Sequence, residues 1–95
     1  MQTDEFEWDD DKAASNLVKH GVSFEEATFA FDDAFAIEDI DPAALHNEYR
    51  TQWIGWDGQR LLVVIDMDRG PRQRIISARE AEPDEYQDYN QRRRP

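Results

Sequence analysis

Five consecutive apolar residues at positions 61–65 constrain the fold of this chain more than any other segment. Side chains alternate between the two faces of a strand, so a strand that is apolar at every position must be covered on both faces. The run is also far shorter than the ~20 residues that a membrane-spanning helix needs. The sequence therefore predicts a central strand with helices on one side of the sheet and another element or a partner chain on the other.

The residues around this strand predict the rest of the sheet. Asp57 and Gly58 separate two β-type segments, 49–56 and 59–66, and such a pair is typical of a hairpin with a two-residue turn. Further strands are predicted at three segments, namely 6–8, 34–39 and 72–78. A C-terminal helix is predicted to begin at Pro83, which is followed by two acids that suit the first turn of a helix.

Capping residues predict two helices near the N-terminus. Three aspartates at positions 9–11 favour a helix start, and Gly21 favours its end after His20. Ser23 with Glu26 forms a capping-box pattern that predicts a second helix from residue 24. Helical spacing places four side chains on the inner face of the first helix: Ala13, Asn16, Leu17 and His20. The order β-α-α-β-β-β-β-α indicates an α+β fold, with two N-terminal helices on a small antiparallel sheet and a C-terminal helix.

Composition sets limits on the domain and its compartment. The 95 residues are enough for one domain, spanning residues 1–95, and residues 92–95 are expected to form a flexible tail. The chain has no cysteine, which excludes disulfides and thiolate metal sites. It has no segment that resembles a secretory signal, so we expect a cytoplasmic protein with no membrane association.

The charge of the chain is divided unequally. The formal net charge is −11, yet residues 1–49 contain 14 acids and two lysines, whereas residues 50–95 contain nine arginines and eight acids. The overall charge argues against general nucleic-acid binding, which draws its affinity from lysine and arginine. An acidic half suits either a cationic partner or a solvated surface, and the sequence leaves both open.

Two separated segments indicate a small anion-binding site. Lys19 and His20 lie together at the junction of the two predicted helices, and Arg74 and Arg79 lie on or near the last predicted strand. Strand alternation places Arg74 and Arg79 on opposite faces unless the strand bends after Ser77.

Several segments, taken in order, resemble the BrnT toxin family. The segments that carry the resemblance are 6–9, Lys12, Asn16, 19–27, Glu48 with Arg50, 54–55 and 74–79. The resemblance covers roughly residues 5–89. It implies a RelE-like fold and a ribonuclease activity that requires no metal or other cofactor.

The same resemblance implies a set of partners. A BrnA-like antitoxin with a ribbon-helix-helix DNA-binding part is expected to cover the toxin. Two toxins are expected to associate with two antitoxins, and the pair is expected to repress its own operator through the antitoxin. RNA is the implied substrate.

Metal-independent RNA cleavage assigns candidate roles to these residues. The 2′-hydroxyl must lose a proton, the charge on phosphorus must be neutralised and the leaving 5′-oxygen must gain a proton. The catalytic candidates are His20 as acid or base, Glu48 as its possible base partner, and Arg50 and Arg79 as phosphate clamps. The RNA-binding candidates are Lys12, Lys19 and Arg74.

Structural explanations compete with each of these roles. His20 can serve as a helix cap, Lys12 and Lys19 can pair with Asp9 or Glu26, and the tryptophans at positions 8, 53 and 56 can fill the core instead of stacking on bases. Asp66 and Met67 stand where the family usually has an aromatic residue and a threonine, and residues 80–85 are acidic where arginines are common. Two hypotheses follow: an active endoribonuclease toxin, or a catalytically inactive toxin-like partner that stabilises a DNA-binding antitoxin.

Overall fold

The computed structural model describes residues 1–41 and 49–93, and the order of its elements is the predicted one. The elements in this part of the chain are β1 (Phe6–Glu7), α1 (Asp10–His20), α2 (Phe24–Ala30), β2 (Ile37–Ile40), β3 (Arg50–Trp56), β4 (Leu61–Arg69), β5 (Arg72–Glu80) and α3 (Pro83–Arg93). The first two residues of the predicted tail are therefore helical, and the last two lie outside the described residues. In the described part of the chain, no helix combines the length and apolar character needed to cross a membrane.

Capping residues fix the ends of α1 and α2 as predicted. The Asp9 carboxylate accepts hydrogen bonds from the backbone N–H groups of residues 11 and 12, at 2.9 and 3.1 Å. Gly21 ends α1 in the left-handed conformation, with φ of 68°, which glycine adopts without steric cost. The Ser23 hydroxyl accepts a hydrogen bond from the Glu26 N–H at 2.9 Å. The Glu26 side chain does not complete the capping box but pairs with Arg60 on the β3–β4 hairpin.

The five strands form one mixed sheet in the order β1-β5-β4-β3-β2. Strands β2 to β5 are antiparallel to their neighbours, whereas β1 pairs in parallel with β5 through Phe6–Gln73 and Glu7–Arg74. The prediction of a wholly antiparallel sheet was therefore wrong. Hairpins force neighbouring strands to be antiparallel, but β1 is followed by two helices, which leave its direction against β5 free.

The β3–β4 hairpin is confirmed, although its turn is longer than predicted. Trp56 pairs with Leu61, so residues 57–60 form a four-residue loop. The Asp57 side chain accepts hydrogen bonds from the N–H groups of Gln59 and Arg60, at 2.7 and 2.8 Å. This carboxylate satisfies the loop backbone and stabilises the longer turn in place of a two-residue one.

One face of the sheet, here called the front face, packs against α1 and α2. Its buried core consists of Trp8, Val22, Phe24, Ala27, Ala30, Leu62, Val64, Ile75 and Ala78. Trp53 stacks on Phe31 with ring centroids 5.1 Å apart, and its indole N–H donates to the Ala30 carbonyl at 2.8 Å. A Cβ at Gly55 would lie 2.5 Å from the same carbonyl, so only glycine lets α2 approach β3 this closely.

The inner face of α1 is narrower than predicted. Asn16 is buried and Ala13 packs against the front-face core. Leu17 is 50% exposed and His20 is exposed, so their predicted inward positions were wrong. The helix bonds to the edge of β5 through Asn16, and a helix at a sheet edge buries a thinner stripe than one that lies over the centre.

The opposite face, here called the back face, is covered at one end by α3. Its core contains Ile37, Ile54, Leu61, Val63, Ala81 and Tyr89, with Tyr86 packed against them. The Tyr86 hydroxyl accepts a hydrogen bond from the Leu61 N–H at 3.0 Å, and the Tyr89 hydroxyl donates to Asp33. The second cover that the central strand requires is therefore supplied at this end by the chain itself.

Candidate functional site

A β-bulge in β5 places Arg74 and Arg79 on the same face of the sheet. Ile65 pairs with Ser77 and Asp66 pairs with Ile75, so residue 76 is an extra residue in β5. An extra residue reverses the alternation of side chains beyond it. The irregularity that the sequence analysis required between the two arginines is thus present, at residue 76 instead of after Ser77, and both arginines belong to the back face.

Arg50 joins the same face through the strand register. It pairs with Met67 on β4, which in turn pairs with Arg74 on β5. Residues paired side by side point to the same face, and two strand spacings separate Arg50 from Arg74 by about 10 Å at their backbones. Arg79 lies farther along β5, in the row with Val63. The three candidate arginines therefore share the back face.

Arg74 is held by a carboxylate on the neighbouring strand. Its Nη1 donates to Oε2 of Glu7 at 2.7 Å, and the two side chains are 30% and 17% exposed. The parallel pairing of β1 with β5 places Glu7 beside Arg74. This pair lies at the open end of the back face, away from α3.

Arg79 is held by the C-terminal helix. It makes a two-pronged ion pair with Glu85, at 2.8 and 3.0 Å, and a further hydrogen bond to the Glu80 carbonyl at 3.2 Å. The hydrogen bonds to Glu85 raise the pKa of Arg79, and the same bonds hold the pKa of Glu85 below its ordinary value. The acidic start of α3 therefore occupies the guanidinium that the sequence analysis assigned to phosphate.

Lys12, Lys19 and His20 lie on a different part of the surface. All three are exposed and line a cleft of about 700 Å³ along α1, together with Ile76 and Ser77 of β5. Within residues 1–41 and 49–93 neither lysine forms a salt bridge, so the alternative in which they pair with Asp9 or Glu26 is not observed there.

Ser77 connects this cleft to the arginines. It lines the cleft and, through its pairing with Ile65, belongs to the back face between Arg74 and Arg79. The bulge therefore joins the lysine-containing cleft to the arginine-bearing face around one edge of the sheet. Glu48, the remaining catalytic candidate, lies outside the described residues.

The tryptophans divide between the core and the surface. Trp8 is 6% exposed and packs edge-on against Phe24 in the front-face core. Trp53 is half-buried and Trp56 is 40% exposed. Core packing thus accounts for Trp8 and Trp53, and only Trp56 of the three presents substantial surface.

Arg60 is a structural residue that the sequence analysis missed. Its guanidinium donates to Glu26 at 2.8 and 2.9 Å and to the Gly21 carbonyl at 2.8 Å. It thereby fixes the β3–β4 hairpin to the junction of α1 and α2, beside His20. The sequence has no local signal for this pair, because Arg60 and Glu26 are 34 residues apart and belong to different elements.

Asp66, which stands where the family usually has an aromatic residue, lies on the opposite face of the sheet from the three candidate arginines. Asp66 is 3% exposed, belongs to the front face and accepts a hydrogen bond from the Thr51 hydroxyl at 2.7 Å. Burial raises its pKa to about 6, helped by the nearby charges of Glu38 and Asp68. Met67, the other residue of this departure, lies between Arg50 and Arg74 on the back face but carries no charge, whereas the acidic start of α3 supplies the carboxylate that pairs with Arg79.

Comparison with known families identifies one that matches most of the chain. The family described as "Ribonuclease toxin, BrnT, of type II toxin-antitoxin system" matches residues 8–85. This range includes α1, the whole β3–β4 hairpin, the bulged strand β5 and the Glu85 that pairs with Arg79. Among curated proteins, none matches the chain. The extent of the family match shows that the chain belongs to the BrnT ribonuclease toxins of type II toxin-antitoxin systems.

Proposed function

We propose that this protein is an endoribonuclease that cleaves RNA through attack of the ribose 2′-hydroxyl and needs no metal ion. The bulge at residue 76 carries the proposal, because it brings Arg74 and Arg79 to the face that also bears Arg50. Guanidinium groups stay charged at working pH and donate two parallel hydrogen bonds to phosphate oxygens. Several of them on one face can neutralise the charge that develops on phosphorus.

The proposed reaction assigns a fate to each proton and bond. The 2′-oxygen attacks phosphorus after losing its proton to a base, the bond from phosphorus to the 5′-oxygen breaks, and that oxygen gains a proton. The products are a 2′,3′-cyclic phosphate and a free 5′-hydroxyl. His20 is proposed as the acid or base, with Glu48 as a base partner, because an imidazole can both accept and donate a proton.

RNA is proposed to cross the edge of the sheet at the bulge. Lys12 and Lys19 line the cleft along α1, and Ser77 connects that cleft to the back face. A phosphate chain that follows the cleft can place one linkage among the arginines while the lysines hold its neighbours.

Binding of RNA requires the arginines to exchange partners. Arg74 and Arg79 now hold Glu7 and Glu85, and each of these side chains is between 17% and 36% exposed. RNA phosphate has to displace both carboxylates, and Arg74, which is held by one hydrogen bond, is easier to release than Arg79, which is held by two.

The partners follow from the same proposal. A type II toxin has an antitoxin, and we propose a BrnA-like protein whose ribbon-helix-helix part binds operator DNA. Two toxins and two antitoxins are proposed to form the complex. The α+β architecture with α1 and α2 on one face of the sheet supports a RelE-like fold.

The carboxylate partners also support a second candidate function. If Glu7 and Glu85 hold their arginines permanently, the chain serves as a toxin-like binding partner that stabilises its DNA-binding antitoxin. The acidic start of α3, which supplies Glu85, favours this alternative.

Cleavage of a short defined RNA by purified, antitoxin-free protein in EDTA distinguishes the two functions. The nuclease proposal predicts products with 2′,3′-cyclic phosphate ends, and no cleavage where the attacking position carries 2′-deoxyribose. Arg79→Ala should lower the rate on the order of 100-fold, since it removes a charged donor from the transition state. Arg92→Ala is the matched control, because Arg92 lies on α3 and pairs with Asp88. Cleavage only with added Mg²⁺, or none at any protein concentration, would reject the proposal.

A further inference from the structure

Three aromatic side chains form an exposed patch at the end of the sheet opposite Arg50 and Arg74. Phe29 is 61% exposed, Phe35 is 57% exposed and Trp56 is 40% exposed, and all three line one surface depression of about 390 Å³. These three residues are here called the aromatic patch. Small soluble domains rarely group large apolar side chains on their surface without a binding role.

Asp33 fixes the geometry of the aromatic patch. One carboxylate oxygen accepts the Phe35 N–H at 2.9 Å, and the other accepts the Trp56 N–H at 2.8 Å. The Tyr89 hydroxyl of α3 donates to the second oxygen. The loop after α2, the end of β3 and helix α3 are thus tied to one residue. A patch that is already ordered loses little conformational entropy when a partner binds.

The rim of the aromatic patch is acidic. The depression is also lined by Asp32, Asp33 and Asp57, and an adjoining depression of about 280 Å³ adds Glu26 beside Phe29. Within the described part of the chain, neither lining includes a lysine or an arginine. Glu26 is already paired with Arg60, whereas Asp32 is exposed, so Asp32 is the rim residue best placed to attract a cation.

We propose that the aromatic patch binds a cationic, amphipathic segment of the protein antitoxin. This inference rests on the proposed function for the identity of that partner. Arginine and lysine side chains can stack on exposed aromatic rings while their charges meet the acidic rim. Apolar side chains of the same segment then cover the remaining ring surface.

Charge argues against the other classes of occupant. The acidic rim repels RNA, whose binding depends on cationic side chains. A second copy of this chain would bring an identical acidic rim and a net charge of −11 to the same surface. A cationic segment is the occupant that the rim attracts.

The aromatic patch lies at the opposite end of β3 from Arg50. Trp56 and Arg50 stand at opposite ends of β3, six residues and about 20 Å apart. A segment bound at the aromatic patch therefore leaves Arg50 uncovered by direct contact. Docking at the aromatic patch and coverage of Arg50 would be supplied by different parts of the antitoxin.

A synthetic peptide tests this chemistry without knowledge of the antitoxin sequence. The probe is a peptide of about 16 residues built from leucine and arginine at helical spacing, and a control peptide carries glutamate in place of arginine. The full chain should bind the arginine peptide and not the glutamate peptide, with an affinity that falls as salt rises. Binding should shift tryptophan emission to shorter wavelength and shield it from acrylamide, because Trp56 is the exposed indole. Trp56→Phe should lose most of that signal while still binding dye-labelled peptide.

Substitutions in the aromatic patch provide the decisive comparison. Phe29→Ser and Phe35→Ser should each weaken binding of the arginine peptide about tenfold, and Asp32→Lys should weaken it at low salt. Val18→Ser is the matched control, since Val18 is 89% exposed on α1, and it should bind as the parent does. Equal binding by Phe29→Ser and the parent, or equal binding of both peptides, would overturn the inference. Self-association of the parent that Phe35→Ser abolishes would also overturn it, by identifying a second copy as the occupant.

RNA cleavage by the same variants separates the two proposals. Phe29→Ser should cleave RNA at the parental rate, because the aromatic patch lies at the opposite end of the sheet from Arg50 and Arg74. If peptide binding depends on the aromatic patch but the protein cleaves no RNA, the nuclease proposal is rejected and the docking proposal stands. If the protein cleaves RNA but Phe29→Ser and Phe35→Ser leave peptide binding unchanged, only the docking proposal is rejected.

Discussion

The side-chain amide of Asn16 pairs with both backbone groups of Ala78, as a neighbouring strand would. Its Nδ2 donates to the Ala78 carbonyl at 2.8 Å, and its Oδ1 accepts the Ala78 N–H at 3.2 Å. The same Nδ2 donates to the Val22 carbonyl at 3.0 Å. One buried side chain thus closes part of the β5 edge and fixes α1 to the residue that precedes Arg79.

Asn16→Ala is expected to destabilise the protein by about 3 kcal/mol, because it leaves three buried backbone groups without their partner. Urea unfolding followed by circular dichroism measures the change. Asn16→Asp should also be strongly destabilising at neutral pH, because it replaces the donor that serves two carbonyls with a charged acceptor. The neighbouring Ser15→Ala is the control and should stay within about 0.5 kcal/mol of the parent. A similarly small effect of Asn16→Ala would show that this pairing contributes little.

Glu85→Gln is expected to raise the affinity for RNA several-fold, because it frees the Arg79 guanidinium from its two-pronged ion pair. The measurement is fluorescence anisotropy with a labelled RNA that carries 2′-O-methyl groups and cannot be cleaved. Glu82→Gln changes the formal charge equally but removes no hydrogen bond to Arg79, so it should raise affinity less. Equal gains in both variants would mean that overall charge, and not release of Arg79, controls RNA binding.

Asp66→Asn is expected to stabilise the protein at pH 7 by about 3 kcal/mol, because burial raises the pKa of Asp66 from 3.8 to about 6. Between these two values the unfolded chain releases a proton that the folded chain retains, so the Asp66 contribution falls as pH rises. The gain from Asp66→Asn should therefore be near zero below pH 4, grow up to about pH 6 and then level off.

Urea unfolding of the parent and Asp66→Asn across this pH range tests the effect as a difference, which cancels the titration of other carboxylates. The amide introduced by this substitution keeps an oxygen that can accept from Thr51 at the position of the present 2.7 Å hydrogen bond. Asp68→Asn, at an exposed position, should show a much smaller gain. If the stability gained by Asp66→Asn does not vary with pH, burial does not raise the pKa of Asp66 as stated.

Sequence reasoning succeeded where one short segment determines the outcome. The carboxylate of Asp9, the left-handed Gly21 and the hydroxyl of Ser23 each act within a few residues, and the helix boundaries follow from them. The apolar run at residues 61–65 likewise required two covers, and the two cores supply them.

Sequence reasoning failed where distant segments decide. The parallel pairing of β1 depends on the free edge of β5, which lies far along the chain. Strict alternation places Arg74 and Arg79 on opposite faces of the sheet. Only the register between β4 and β5 reveals the extra residue that puts both on the same face. The exposure of His20 depends on where α1 lies against the sheet, which helical spacing alone does not specify.

Salt dependence of RNA binding tests the shared arginine face most directly. The affinity for a single-stranded 2′-O-methyl RNA would be measured at several salt concentrations for the parent, Arg50→Ala, Arg74→Ala and Arg79→Ala, with Arg92→Ala as control. If the arginines contact phosphates together, each of the first three substitutions lowers the slope of log affinity against log salt by about 0.7. The control keeps the parental slope. Parental slopes in all variants would contradict the account, because the arginines of the back face would then not bind RNA phosphate.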